Sequence, residues 1–156
     1  MAKRNAETLA PYQGGDLRLD YALSGGFFED ADVAAERIGT ARDLAVARGL
    51  ENLTQALVNR LKTRRGELAA LGHPDYGSRH HELIGEPNVV RTRNLIKLYV
   101  LQALRDEARV ERVLRADVRA EHAPPRETVR IELTLKVLGE ATPLNLVVPF
   151  SLGFFQ

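Results

Sequence analysis

Three carboxylates lie in one turn-rich stretch of the sequence: Glu67, Asp75 and Glu82. A glycoside hydrolase needs two carboxyl groups facing each other across a cleft, one of them with a raised pKa. The sequence does not give the separation of these three groups, and a chain with 21 acidic residues contains many such sets. The structural interpretation is that Glu67 caps or pairs with Arg64 or Arg65, and that Asp75 accepts a hydrogen bond within its turn. We therefore expect no catalytic residue here.

Three histidines in the same stretch raise the question of a metal site, because His73, His80 and His81 are followed by Glu82. Adjacent histidines point in different directions on a helix or a strand, and no two of these are four residues apart. Packed or solvated loop histidines explain the pattern better. We expect no metal ligand among them.

Two glycine pairs and a basic run are the candidates for phosphate binding. Gly14-Gly15 and Gly25-Gly26 lack both the Lys-Ser/Thr ending of a P-loop and the G-x-G-x-x-G spacing. Lys62, Arg64 and Arg65 fall in the last turn of a predicted helix, where its dipole favours positive charge. No aromatic residues are interleaved with them to stack on bases. We expect no cofactor and no nucleic-acid partner.

Composition sets the broad class of the protein. The 156 residues are enough for one ordinary domain, with 22 basic and 21 acidic side chains and a net charge of +1. That balance excludes a strong general attraction to nucleic acid or to an anionic membrane. Without cysteine there is no disulfide, thiolate zinc site or cysteine nucleophile. No apolar run reaches the roughly 18 residues of a membrane helix and no secretory signal is present, which favours the cytosol.

The hydrophobic pattern predicts an α+β fold in which two main helices pack on a small antiparallel three-stranded C-terminal sheet. Residues 1–50 are predicted to be an extended N-terminal arm or subregion, and residues 51–156 the α+β domain. The predicted elements are short strands at 17–23 and 43–47, helices at 29–38, 51–65 and 89–107, and C-terminal strands at 114–121, 129–137 and 144–150.

Several motifs occur in a fixed order along the chain. DLAVARG at 43–49 is followed by ENLTQALVNRLKTRRGEL at 51–68, HPDYGS at 73–78, and a long helix that ends at Glu107-Ala108-Arg109-Val110. In this order they resemble the small baseplate wedge proteins of contractile phage tails and contractile injection systems, the lysozyme-like wedge family. The family has a Glu-Pro-Arg-Val-type corner after the long helix, and this chain has alanine at the proline position.

The resemblance implies a structural subunit that docks and initiates the sheath, not an enzyme. The implied partners are other baseplate wedge subunits and the sheath protein, with the tube or spike hub as further candidates, in a multi-subunit assembly. The implied location is the cytoplasm of the producing cell and then the baseplate of the assembled particle. A small peptidoglycan-cleaving hydrolase is the alternative function, and a stand-alone ligand-binding domain is a weaker one.

The resemblance also implies that the corner at Glu107, Arg109 and Val110 binds a neighbouring subunit. Glu107 lies near a helix C-terminus, where the dipole disfavours negative charge. It therefore needs a cation, either Arg109 or an arginine of a partner.

Two further surfaces are predicted to bind partners. Leu98 and Leu101 lie on the polar side of the long helix and are expected to contact either a partner or the residue 1–50 arm. The last strand contains Pro149, which favours an edge position, and LNLVVPFSLGFFQ carries no charge to protect that edge. We expect this strand, with Phe154 and Phe155, to dock in an assembly.

Overall fold

The computed structural model describes residues 14–24, 27–122 and 126–153. The chain forms two compact units, residues 1–56 and 57–156. Among the described residues, no helix has the length and apolar character needed to cross a membrane.

The described part of unit 1 contains six short strands. They are β1 (Gly15–Leu17), β2 (Leu19–Ser24), β3 (Phe27–Val33), β4 (Ala35–Ile38), β5 (Ala41–Leu44) and β6 (Val46–Arg48). Antiparallel pairing joins β1 to β6, β2 to β3 and β4 to β5, which gives three two-stranded sheets.

This arrangement corrects the predicted fold class, because the described residues between 15 and 48 form six paired strands and not an extended arm. The helix predicted at residues 29–38 is also wrong, since β3 and β4 occupy that stretch. Its alanines and glutamates favour a helix locally, and strand pairing overrides that weak preference. Two helices and several antiparallel sheets make the described part of the chain α+β in a broad sense.

The three strand pairs of unit 1 meet at a closed ring of backbone hydrogen bonds, which we call the three-way junction. Arg18 N–H donates to Ala45 O at 2.8 Å, Ala45 N–H to Ala34 O at 2.9 Å, and Ala34 N–H to Arg18 O at 2.8 Å. Each of these residues is the single one that separates two consecutive strands. The ring therefore pairs backbone groups that the breaks between strands would otherwise leave open.

Helix α1 (Gly49–Lys62) supports the junction through a buried amide. Gln55 Nε2 donates to Leu17 O at 2.8 Å, and Gln55 Oε1 accepts from Leu19 N–H at 2.8 Å. Asn52 Nδ2 donates to Gly14 O at 3.0 Å. The Gln55 amide thus bridges the backbone on both sides of Arg18 and holds β1 and β2 in their relative directions.

Unit 2 contains the end of α1, a second helix and a three-stranded sheet. The elements after α1 are 3₁₀ turns at Ala69–Leu71 and Arg79–Leu83, α2 (Val90–Arg105), β7 (Val110–Ala120), β8 (Thr128–Val137) and β9 (Leu144–Ser151). The sheet is antiparallel in the order β7-β8-β9. These strands correspond to the stretches predicted at 114–121, 129–137 and 144–150.

One face of the sheet forms the core of unit 2, and α2 packs along β7. Alternate residues of β8 are almost fully buried: Val129, Ile131, Leu133, Leu135 and Val137. The pattern alternates because successive strand residues point to opposite faces. Leu114 does not follow the predicted inward face. A register shift between Val113 and Arg115 takes it out of the ladder, and it is 44% exposed.

The long connection between α1 and α2, residues 63–89, is hydrogen-bonded to the C-terminal end of α1. Ser78 N–H donates to Thr63 O at 2.9 Å, and Arg65 N–H donates to Ser78 O at 3.2 Å. Gly77, with φ of +99°, makes the close approach possible, because a Cβ at this position would lie 2.6 Å from Thr63 O. The glycine in HPDYGS is thus required by backbone geometry.

We expect Gly77→Ala to lower the free energy of unfolding by about 2 kcal/mol or more, from positive-φ strain together with a backbone clash. Gly139→Ala is the matched control, because Gly139 has φ of +80° and no heavy atom within 4 Å of the added Cβ. It should cost about 1 kcal/mol. Urea unfolding of both variants measures the difference, and equal losses would contradict the close-approach argument.

Candidate functional site

The helix-to-sheet corner is built around a mostly buried ion pair between Glu107 and Arg109. Arg109 Nε donates to Glu107 Oε1 at 2.7 Å, and a terminal nitrogen donates to Oε2 at 3.3 Å. The two side chains are 10% and 16% exposed. The cation expected for Glu107 is therefore Arg109 of the same chain.

A second arginine approaches the same carboxylate from α1. Arg60 lies 3.8 Å from Glu107 Oε2 and 4.6 Å from the centre of the Tyr76 ring. Arg60 is 14% exposed, and its buried Nε has no hydrogen-bond partner among the described residues. Glu107, Arg109, Arg60 and Tyr76 form the corner cluster, which joins the helix end, the long connection and the start of β7.

The electrostatics of the corner cluster keep Glu107 ionised. Burial acts to raise the pKa of Glu107, but hydrogen bonds from Arg109 and the charges of Arg109 and Arg60 outweigh it, and the pKa is lowered. Burial also raises the pKa of the Tyr76 hydroxyl, although the Arg60 charge opposes this. The Glu107 carboxylate is therefore stabilised in its charged form by the arginines around it.

The backbone of the corner is well paired although position 108 is not proline. Val110 N–H donates to Glu107 O at 3.1 Å, and Leu138 N–H donates to Arg109 O at 3.0 Å. Arg109 N–H also lies 3.3 Å from Glu107 Oε1. A proline at position 108 would restrict the backbone of this turn through its fixed φ angle. Here the hydrogen bonds hold the turn instead.

The other predicted contact residues lie on separate parts of unit 2. Leu98 is 48% exposed on α2, and Leu101 is half-buried. β9 is an edge strand of the three-stranded sheet, as Pro149 indicated. Phe154 and Phe155 lie outside the described residues. Binding to a partner remains a prediction for all of these positions.

The outer face of the sheet changes character at β9. On this face, the β8 residues paired with β9 are Arg130, Glu132 and Thr134. Their partners on β7 are all charged: Arg119, Asp117 and Arg115. The corresponding β9 residues are Asn145, 44% exposed Val147, and Pro149. The β9 edge strand is therefore uncharged, in contrast to β8 and to the other edge strand, β7.

The candidate catalytic carboxylates are each bound to neighbours of the same chain. Glu67 accepts from Arg64 N–H at 2.9 Å, and Asp75 pairs with Arg65 at 2.6 Å. Glu82 makes a two-point contact with Arg79, which lowers the pKa of Glu82. Each of the three acids thus makes its own contact within the chain. The contact of Glu67 with Arg64 is the one that the structural interpretation of the sequence expected.

The two adjacent histidines belong to the packing of unit 2. His80 is 1% exposed, and its Nδ1 lies 2.7 Å from Ser78 Oγ. His81 Nε2 lies 2.8 Å from Leu61 O, so this imidazole donates to a carbonyl in the last turn of α1. The rings stack at 4.3 Å, and Phe150 contacts both edge-on. No cluster of three potential metal-ligating side chains occurs among the described residues.

Sequence reasoning missed Arg60 and Tyr76 in the corner cluster. Only Lys62, Arg64 and Arg65 were singled out at the end of α1, and Tyr76 lies in a stretch interpreted as a turn. The signal was indirect, since both lie in motifs that carry the family resemblance, ENLTQALVNRLKTRRGEL and HPDYGS.

Comparisons with known proteins find similar solved structures but no matching family. No family model matches the chain, and neither does any curated protein. Among solved structures, the chain is similar to a Geobacter sulfurreducens protein provisionally named a tail lysozyme, with 28% identity and a TM-score of 0.57. That match covers 65% of this chain and 89% of the other.

A second similar structure is a chain of the baseplate complex from the type VI secretion system. The identity is 20% and the TM-score 0.52, over 65% of this chain and 92% of that one. This second likeness shows a shared fold. The predicted resemblance is confirmed to the extent that the chain is similar to tail- and baseplate-associated proteins.

We expect Arg109→Ala to lower the free energy of unfolding by about 2 kcal/mol, because it removes the closest partner of a mostly buried carboxylate. Arg115→Ala is the control, since Arg115 pairs with Asp117 at 2.6 Å but is 62% exposed. It should cost less than about 1 kcal/mol. Chemical denaturation at pH 7 compares the variants, and a loss for Arg109→Ala no larger than that of the control would contradict the assignment.

Protonation of His80 should destabilise the fold below pH 6.5. Burial, followed by the neighbouring His81, lowers the pKa of His80 from 6.5 to about 3. Between these values the unfolded chain binds a proton that the folded chain does not, so stability falls as the pH falls. The slope from His80 is at most about 1.4 kcal/mol per pH unit.

Denaturation between pH 7 and about pH 5 measures this slope. His80→Phe should flatten it whatever its effect on absolute stability. An unchanged slope in His80→Phe would contradict the role of this imidazole.

Proposed function

We propose that this protein is a structural subunit of a contractile tail or injection-particle baseplate, positioned in the wedge, where it docks and initiates the sheath. The observation that carries the proposal is the fold it shares with a tail protein and a baseplate-complex protein. The proposed partners are neighbouring wedge subunits and the sheath protein, with the tube or spike hub as further candidates. The subunit is made in the cytoplasm and functions in the assembled particle.

The corner cluster supports a docking role because hydrogen bonds and ion pairs hold its side chains in place. Three charged side chains and a tyrosine are held within one cluster, and the turn at Glu107 and Val110 is closed by backbone hydrogen bonds. A surface that is ordered before binding loses less entropy when a partner docks. In this proposal the exposed parts of Glu107, Arg109 and Val110 meet a wedge neighbour, while Leu98 and Leu101 supply apolar contact from α2.

The β9 edge supports docking by strand addition. An exposed edge presents unpaired backbone groups, and proteins normally protect such edges with charge or with short strands. β9 is eight residues long and has none of the charged residues that occur on β7 and β8. An added strand from the sheath would satisfy these backbone groups and cover Val147.

The proposed role is non-enzymatic. Glu67, Asp75 and Glu82 each contact an arginine side chain or a backbone amide, and the pKa of Glu82 is lowered, away from that of a general acid. The alternative hydrolase is tested by the clearing of a peptidoglycan suspension. Robust clearing that is lost in Glu67→Gln or Asp75→Asn would replace the structural proposal.

We expect Val147→Lys to block attachment of the sheath while the subunit stays folded, because a lysine on an edge strand opposes strand addition. Leu114→Lys is the matched control, since Leu114 is also 44% exposed and lies on the opposite edge strand. Electron microscopy of particles from cells that produce each variant measures the sheathed fraction. Normal sheaths with Val147→Lys, or equal loss with both variants, would contradict docking at β9.

A further inference from the structure

The three-way junction of unit 1 has one apolar face that is exposed. The residues on either side of each junction residue are apolar in all three strand pairs, and we call them the apolar ring: Leu17, Leu19, Val33, Ala35, Leu44 and Val46. Leu17, Val33, Leu44 and Val46 are 36–51% exposed, a high value for large apolar side chains grouped around one point. Contiguous apolar patches of this kind mark interaction sites.

Alternation along the strands places the apolar ring on one face. Leu44, Val46 and Arg48 are exposed, whereas Ala45 and Ala47 between them are fully buried. Exposed and buried residues therefore lie on opposite faces through this stretch. Val33 and Ala35 flank buried Ala34 in the same way. A Cβ on Gly15 would lie 2.9 Å from Val46 Cγ1, so the absence of a side chain at Gly15 leaves room on this face for Val46.

Three arginines lie beside the apolar ring, next to two of its three strand pairs. Arg48 follows Val46 by two residues in β6, and in the β4–β5 hairpin Arg37 and Arg42 are two residues away from Ala35 and Leu44. The period of two therefore places all three on the face of the ring. They are exposed and make no ion pair with any described residue.

The pairing within the β4–β5 hairpin places like charges opposite each other. Arg37 pairs with Arg42 on the ring face, and Glu36 pairs with Asp43 on the other face. Directly opposed like charges destabilise a hairpin. A hairpin with four residues in each strand could instead place a basic residue opposite an acidic one. The observed pairing of like charges lowers the stability of the hairpin and leaves its arginines available to an external partner.

We propose that the apolar ring and its three arginines bind a protein partner whose apolar contact residues are flanked by carboxylates. Apolar side chains would fill the centre of the contact, and carboxylates would pair with Arg37, Arg42 and Arg48 at the rim. An apolar centre with a polar rim rich in arginine is the usual composition of a protein interface. Guanidinium groups also bind carboxylates in two-point contacts.

A lipid surface fits this region less well. Residues 14–48 contain seven acidic and four basic side chains, so an anionic membrane would repel the segment as a whole. A second copy of the chain also fits less well. The acidic face of the same hairpin offers one exposed large apolar side chain, Ile38, beside the Glu36 and Asp43 pair. A single side chain provides far less than the roughly 800 Å² that each partner of a stable interface buries.

The β4–β5 hairpin supplies matched controls for a test. Leu44 on the ring face is 51% exposed, and Ile38 on the other face is 58% exposed. The paired substitution Arg37→Gln with Arg42→Gln removes two charges from the ring face. The pair Glu36→Gln with Asp43→Asn removes two from the opposite face. The amide of Asp43→Asn keeps an oxygen for the bond that Asp43 Oδ1 accepts from Leu44 N–H at 2.8 Å.

The experiment places the photo-crosslinking residue p-benzoylphenylalanine at position 44 or at position 38 of the full chain, in cells that produce it. We expect position 44 to crosslink at least about tenfold more than position 38, to a protein peptide in which aspartate or glutamate flanks apolar residues. The Arg37→Gln, Arg42→Gln pair should reduce this yield about tenfold. The Glu36→Gln, Asp43→Asn pair should leave it within about twofold.

Thermal melting separates loss of binding from loss of fold. Arg37→Gln with Arg42→Gln should melt no lower than the parent, because it removes a repulsive pair. A lipid adduct, a crosslink to another copy of the chain, a peptide without carboxylates, equal yields at positions 44 and 38, or no crosslink at position 44 would each overturn the proposal. None of these outcomes depends on sheath attachment, so the baseplate function is tested separately.

Discussion

The carbonyl groups in the last turn of a helix have no hydrogen-bond donors within the helix. Unit 2 is organised around the donors that bind these carbonyl groups at the end of α1. At the end of α1, Leu61 O accepts from His81, and Thr63 O accepts from the backbone of Ser78. Both partners come from a connection more than ten residues further along the chain. Meeting this requirement brings His80 and His81 under Phe150 of β9, so the helix end, the connection and the sheet are joined in one packing arrangement.

The corner cluster uses elements that the capping of α1 has already positioned. Arg60 lies one residue before Leu61 in α1, and Tyr76 lies in the connection that caps the helix. Once the connection is in place, both side chains are already beside the end of α2. A carboxylate at Glu107 then has two cations within reach and stays ionised although it is mostly buried. The charged corner thus depends on the capping of a helix elsewhere in the chain.

The success of sequence reasoning differed sharply between the two units. The helices and the β-meander of unit 2 follow strong periodic patterns, and Pro149 correctly indicated an edge strand because proline cannot donate to a ladder. Residues 29–38 were misassigned because Ala and Glu favour a helix locally, and no local signal shows that Val33 will pair with Leu19. Arg109 could be named as a partner of Glu107 because the two are close in sequence. Arg60 could not be found, since its contact with Glu107 joins residues that are far apart in the chain.

The order of strands around the three-way junction also has a kinetic consequence. β2–β3 and β4–β5 are hairpins between neighbouring segments, whereas β1 and β6 pair residues as distant as Gly15 and Arg48. Closing a loop of that length from an open chain carries an entropic cost that grows with the number of free residues. If the two hairpins form first, they remove most of the intervening chain from that loop, and the remaining separation is set by the junction residues Arg18, Ala34 and Ala45. The outer pair is then a short-range contact in three dimensions, although it is a long-range contact in sequence.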